Sequence, residues 1–180
     1  MDHRSGRLVG VRFLASPHCD ARPPGTPIDL LVVHGISLPP GEFGGPWIEK
    51  LFLGTLPAAA HPYFAGIVQL RVSAHVLIRR DGELLQFVAF GARAWHAGVS
   101  AFAGRQACND FSVGVELEGC DALAYTGRQY TVLAGLARAL MRTYPDITPA
   151  RIVGHSDIAP SRKTDPGPGF DWARLRALLA

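Results

Sequence analysis

The chain has 180 residues, 48% of them hydrophobic and 18% charged. That length suits one domain around one core, and that balance excludes a disordered chain. The formal charge of +3 comes from scattered arginines rather than a basic run, which argues against a nucleic-acid surface and fits a small anionic substrate. Cys19, Cys108 and Cys120 are odd in number and lack C-x-x-C spacing, so a disulfide framework is not expected and a reduced, cytoplasmic protein is. The first ten residues show no apolar stretch of signal-peptide type, and no run approaches the roughly 18 apolar residues of a membrane span.

Residues 1–27 are rich in Pro, Gly and Arg and have no helical period. They predict an arm laid over the surface, carrying His3 and His18. Residues 28–34, I-D-L-L-V-V-H, are short, apolar and partly β-branched, which predicts a buried strand with Leu30, Val32 and His34 on one face. Residues 35–46 contain P-P-G and G-G-P and read as loop; residues 47–53 predict a short helix stopped by Gly54. Residues 55–70 hold Pro57, Pro62 and Gly66 and predict irregular chain with room for one helical turn. A loop of that length in a compact domain is often functional.

Residues 72–78 and 83–90 are strand-like and are joined by R-R-D-G, whose Asp-Gly pair signals a hairpin. Residues 91–105 read as loop. Residues 111–118 predict the third main strand, with Val113, Val115 and Leu117 to one side and Ser112, Gly114, Glu116 and Glu118 to the other. Thr126 and Gln129 form a capping box, opening a helix whose apolar spacing runs to Tyr144 and ends at Pro145. A short strand over 151–154 leads to His155, and Asp171 caps a last helix over 172–179. The expected architecture is α/β: a single domain with a central mixed β-sheet flanked by helices.

His34 and His155 each end an apolar strand. If those strands are neighbours, both imidazoles reach one rim of the sheet, where open α/β sheets bind ligands. Asp165 follows on a loop stiffened by Pro166 and Pro168. Two histidines and a carboxylate leave a fourth tetrahedral position open, the pattern of a catalytic zinc. Taken singly, each of the three reads more simply as an ordinary hydrogen-bonded side chain.

Glu116 stands beside Gly114, whose missing side chain would leave room above the sheet for a substrate or a water. A carboxylate there can take that water's proton. Glu118 shares the face, and pattern alone does not choose between them; lying nearer the strand end, Glu118 is expected to be solvated. Lys163 can stabilise an oxyanion or pair with a nearby aspartate on the surface. Trp95 and His96 can together wall a sugar ring, whereas His75, inside a strand, is expected to be packed and hydrogen-bonded. Arg71 and Arg162 can meet a substrate carboxylate or lie along the surface. His61 falls in loop sequence. No G-x-S-x-G elbow, P-loop or dinucleotide fingerprint occurs, and neither Cys108 nor Cys120 has an evident partner base.

The segments L-L-V-V-H, S-L-P-P-G-E-F-G-G-P-W-I, R-V-S-A-H, A-W-H-A-G-V-S, C-N-D-F-S-V-G-V-E-L-E-G and G-H-S-D-I-A-P-S-R-K-T-D-P-G-P occur in that order. Together they make residues 8–179 resemble the cytosolic N-acetyl-anhydromuramoyl-L-alanine amidases of bacteria, the AmpD type, part of a wider amidase and peptidoglycan-recognition fold. The resemblance implies one zinc amidase domain over 1–180, with 1–27 as an arm packed on it. It implies cleavage of the amide between the lactyl group of anhydro-N-acetylmuramic acid and L-alanine, in recycling of cell-wall fragments. In some bacteria, loss of such an enzyme raises β-lactamase expression. By the same resemblance His34, His155 and Asp165 correspond to the metal ligands, Glu116 to the catalytic glutamate and Lys163 to the catalytic lysine. Arg71 and Trp95 fall where that family contacts substrate, and Arg162 where it meets the peptide. A cytoplasmic monomer acting on a small muropeptide is expected, with no nucleic-acid or membrane partner.

Two departures bear on substrate preference: Gly35 stands where relatives can carry asparagine, and Ala107 where some carry arginine. Three other readings use the same residues. A muropeptide-binding module of this fold would typically lack metal ligands. A non-haem iron oxygenase also uses two histidines and a carboxylate. A periplasmic amidase acting on intact wall would be expected to begin with a leader.

Overall fold

The computed structural model describes residues 1–2 and 5–180. His3 lies outside the described residues. In chain order the elements are β1 (Arg12–Phe13), β2 (Cys19–Ala21), β3 (Leu30–Ile36), α1 (Trp47–Phe52), β4 (Val76–Ile78), β5 (Leu84–Gln86), β6 (Ala92–Ala94), β7 (Ala101–Phe102), β8 (Arg105–Gln106), β9 (Ser112–Glu118), α2 (Gly127–Thr143), β10 (Ile152–Gly154), α3 (His155–Ile158) and α4 (Trp172–Leu179). Two 3-10 turns, Ala58–Ala60 and Pro62–Gly66, lie in the irregular segment before β4.

Six strands form the main sheet in the order β1-β5-β4-β9-β3-β10. β4, β9, β3 and β10 run parallel, while β5 returns antiparallel to β4 across the R-R-D-G turn. The mixed sheet flanked by helices is the expected one. Alternation along the strands decides what each face buries. Leu31, Val33, Val76, Ile78, Val113, Val115 and Leu117 form one core with α2 and α4. α2 is anchored by its capping box: Thr126 Oγ1 accepts from the Gln129 N–H at 3.2 Å, and Gln129 Oε1 accepts from the Thr126 N–H at 3.0 Å.

The opposite face is covered in two separate patches. Leu77 and Leu85 pack with Ile48, Leu51 and Phe52 of α1. Leu30 and Val32 pack with Cys108, Phe111 and Ile158. His34 and Glu116 belong to the same strands and the same face, between the two patches, so the apolar packing leaves a polar gap where the chemistry can sit.

The arm is more regular than its composition predicts. β1 adds to the sheet edge beside β5, and β2 pairs with β6. Residues 91–105 likewise hold β6 and the β7–β8 hairpin rather than loop alone. Strands of two or three residues are too short to carry a hydrophobic period, and β1, β2 and β6 pair with partners distant in sequence. The three cysteines are free thiols. Among the described residues, no helix is long and apolar enough to cross a membrane.

Candidate active site

The sheet register assembles the site. β3 and β9 pair so that His34 stands directly beside Glu116. β10 pairs on the other side of β3 with Gly154 beside Val33. His155, the next residue, therefore arrives level with His34. After α3 the chain folds back: the Lys163 N–H donates to Ala159 O at 2.9 Å, and the Ser156 N–H donates to Asp165 O at 2.9 Å. The Tyr125 hydroxyl holds the same loop by donating to Pro166 O at 3.0 Å.

Three atoms converge as a result. His34 Nδ1 lies 3.0 Å from His155 Nδ1 and 3.2 Å from Asp165 Oδ2, and His155 Nδ1 lies 3.1 Å from that same oxygen. Ligands on a zinc tetrahedron with arms of about 2.0–2.1 Å stand about 3.3 Å apart, so donor type and spacing both fit that ion. These three form a cluster able to hold a metal. Burial draws the His34 imidazole down to about 4 against the hydrogen bond with Asp165, so it is neutral at pH 7, as a ligand must be. Burial pushes the Asp165 carboxyl upward, but its hydrogen bonds with His155 and His34 outweigh that and hold it well below the usual carboxylate range.

A cleft of about 600 Å³ opens over the cluster, and both Glu116 and Lys163 line it. Burial, reinforced by the charge of Asp165, raises the Glu116 carboxyl well above its ordinary value, with Lys163 acting in the opposite sense. Its Oε2 is buried and has no hydrogen-bond partner among the described residues. A carboxyl group raised this way takes up a proton more readily than a solvated glutamate.

The remaining residues singled out in the sequence separate. Arg71 is exposed at the cleft edge, between the lining residues Leu70 and Val72. The Trp95 ring is held against the arm: it stacks on His18, and its indole N–H donates to Asp20 Oδ1 at 3.1 Å. His96 turns inward instead and bonds His34, so the two do not build a common wall, because consecutive strand-like residues face opposite ways. Arg162 donates through Nη2 to the carbonyls of Ala97 and Val99 at 2.6 and 2.8 Å. His75 is packed and hydrogen-bonded as expected, accepting the Gly114 N–H at Nδ1.

Two expectations are corrected. Gly114 does not leave room for substrate; the ring of His96 fills the space that its side chain would take. Glu118 is not solvated: it is 2% exposed, and it accepts from Arg79 Nη1 at 3.0 Å, the Gly44 N–H at 2.7 Å and the Arg80 N–H at 3.3 Å. The 37–46 loop brings the Gly44 N–H over the strand end, and the turn after β4 brings Arg79 and Arg80. At Gly35 a Cβ would collide with the Tyr125 hydroxyl, so glycine makes room for that side chain here. Sequence reasoning also missed the apolar cleft wall of Leu38, Tyr63, Ile67 and Leu70 and the opposite rim at Cys120 and Asp121. The length of the irregular 55–70 segment was the available signal for that wall.

The sheet, the ligand cluster and the buried acid beside it make up the working parts of a hydrolase. The family described as N-acetylmuramoyl-L-alanine amidase matches residues 24–168. The 1,6-anhydro-N-acetylmuramyl-L-alanine amidase AmpD of Escherichia coli (strain K12) is 63% identical over 175 residues, covering 97% of this chain and 95% of that protein. The crystal structure of a selenomethionine AmpD derivative superposes with a TM-score of 0.95 at 62% identity, over 98% of each chain. AmiD from E. coli, solved with the substrate anhydro-N-acetylmuramic acid-L-Ala-D-gamma-Glu-L-Lys, superposes with a TM-score of 0.63 at 28% identity, over 86% of this chain and 59% of that one. The chain belongs to the N-acetylmuramoyl-L-alanine amidase family and hydrolyses an amide bond.

Proposed function

We propose that this protein is a zinc-dependent amidase that cuts the bond between the lactyl group of anhydro-N-acetylmuramic acid and the L-alanine of a muropeptide. It acts as a cytoplasmic monomer in recycling of cell-wall fragments, as one domain over residues 1–180 with 1–27 as its arm. Near full-length similarity to the E. coli amidase supports the substrate. The observation that carries the reading is the geometry: three ligand atoms 3.0–3.2 Å apart beside a Glu116 whose Oε2 is buried without a partner.

His34 and His155 would hold zinc through Nδ1, and Asp165 through Oδ2. Bound zinc supplies Lewis acidity, which acidifies water toward a pKa of about 7 and polarises a carbonyl oxygen. Glu116 takes the proton of the attacking water and delivers it to the leaving alanine nitrogen. The Lys163 ammonium, lining the same cleft, faces the oxyanion that forms as the carbonyl carbon becomes tetrahedral. Arg71 at the cleft edge and Arg162 beside Ala97 are the cations for the peptide carboxylates, and Trp95 is an outer contact.

The test is to incubate the protein with anhydro-muramyl-tripeptide, with and without a chelator, and follow free peptide by mass spectrometry. Release that stops with chelator and returns with zinc is expected. Tight binding without release would make this a recognition module and void the roles of Glu116 and Lys163.

A further inference from the structure

Both ligand histidines lean on one dipeptide. His34 turns Nδ1 to the cluster and Nε2 to His96, whose Nδ1 is 3.0 Å away. His155 turns Nδ1 to the cluster and Nε2 to the carbonyl of Ala97, at 3.2 Å. A neutral histidine that ligates through Nδ1 carries its proton on Nε2. His155 then donates to Ala97 O, and His34 donates to His96 Nδ1. The assignment continues without conflict: His96 bears its own proton on Nε2 and donates to Ser112 Oγ at 3.1 Å. The Ser112 hydroxyl donates to Cys108 O at 2.6 Å, where the chain ends on an acceptor.

The dipeptide is itself held firmly. Asn109 Oδ1 accepts both the His96 N–H at 3.1 Å and the Ala97 N–H at 2.8 Å. The His96 ring is only 9% exposed and lies where any Cβ on Gly114 would collide with it. Glycine at 114 thus serves this ring.

We propose that His96 is a positioning residue for the metal site. With the Ala97 carbonyl, and clamped by Asn109, it fixes the tautomer and tilt of His34 and His155 so that both Nδ1 lone pairs converge. This rests on the zinc reading of the cluster. Groups behind metal-ligating histidines typically contribute about 10–100-fold in metal affinity.

The experiment measures zinc affinity by chelator competition for the wild type, His96→Leu and His96→Asn, alongside thermal melting of the metal-free proteins. Leucine fills the volume without an acceptor, while asparagine returns an acceptor near the place of Nδ1. Zinc affinity about 10–100-fold weaker in His96→Leu and largely restored in His96→Asn is expected. Lower metal-free melting temperatures in both variants with unchanged zinc affinity would reduce His96 to a packing residue and overturn the proposal. Long-range ¹⁵N–¹H spectra of the zinc-loaded wild type give a test that needs no variant: Nε2–H on both His34 and His96 is expected, and Nδ1–H on His96 overturns it. A wild type that binds no zinc defeats the metal reading itself. Equal binding by wild type and His96→Leu defeats this inference alone.

Discussion

Glu116 and Glu118 differ by one turn of strand alternation and share a face, yet they do opposite work. Glu116 lines the open cleft with one oxygen buried and unpartnered, and its carboxyl is raised by burial. Replacing it by glutamine keeps the shape and removes the proton acceptor. Turnover in Glu116→Gln should fall about 10²–10⁴-fold while zinc content is unchanged, measured by peptide release and metal analysis; full turnover would place the proton transfer elsewhere. Glu118 instead neutralises Arg79, which is 8% exposed, and ties down Gly44. Glu118→Ala removes one partner of a buried pair. Because Glu49 still faces Arg79 at 2.6 Å, the loss should lie toward the lower end of about 3–5 kcal/mol, read from denaturant midpoints. A midpoint that does not move would mean the pair contributes nothing net.

At the scale of elements, Arg22 ties the arm down beyond the pairing of β1 and β2. Arg22 donates to the carbonyls of Asn109, Asp110, Phe90 and Ser112 at 2.8–3.2 Å, joining the arm to the start of β9 and to the turn before β6. A guanidinium can do this because it fans its donors in one rigid plane. Arg22→Ala leaves those carbonyls without their donor, and a loss of about 3 kcal/mol or more is expected by chemical denaturation. Arg22→Lys should recover only part, since an ammonium is a compact point charge. Stability equal to the wild type in Arg22→Ala would show that these bonds add nothing net to the strand pairing that also holds the arm. The arm's composition signalled its surface course, but an isolated arginine in a Pro/Gly-rich stretch looks the same whether solvated or buried.

Over the whole molecule, ligand and proton binding both feed into stability. Zinc at 100 times its dissociation constant should add about 2.7 kcal/mol to the folded state, because the unfolded chain has no assembled site. For a chain of this length that is a rise of about 5–10 °C in melting temperature, abolished by chelator. No shift with zinc would contradict the metal reading. In the metal-free protein, His75 should contribute to the acid limb of stability alongside the buried His34 and His96, which burial also lowers. His75 is fully buried; burial, then the charge of Arg22, lowers it to about 3 from 6.5. Between those values the unfolded chain holds a proton that the folded chain lacks. Its contribution is therefore complete above pH 6.5 and declines by about 1.4 kcal/mol for each unit below, until pH 3. His75→Asn keeps an acceptor for the Gly114 N–H and should make that limb shallower in denaturant midpoints taken across pH. An unchanged slope would remove His75 from the explanation.

Whatever depends on local period and local chemistry is legible along the chain. Alternation set the buried faces of β3 and β9 and put His34 and Glu116 on the side opposite the α2 core; Thr126 and Gln129 set the start of α2; the long ordered motifs carried the family. Packing in three dimensions sets which strands are neighbours, and hence that His34, Glu116 and His155 lie side by side with Asp165 folded back between the histidines. It also decided the fates of Glu118, Trp95, His96 and Gly114. The physical reason is the same for all four. Whether a polar side chain meets water, an ion partner or another ring depends on which distant segment covers it, and no periodicity within a strand encodes its cover.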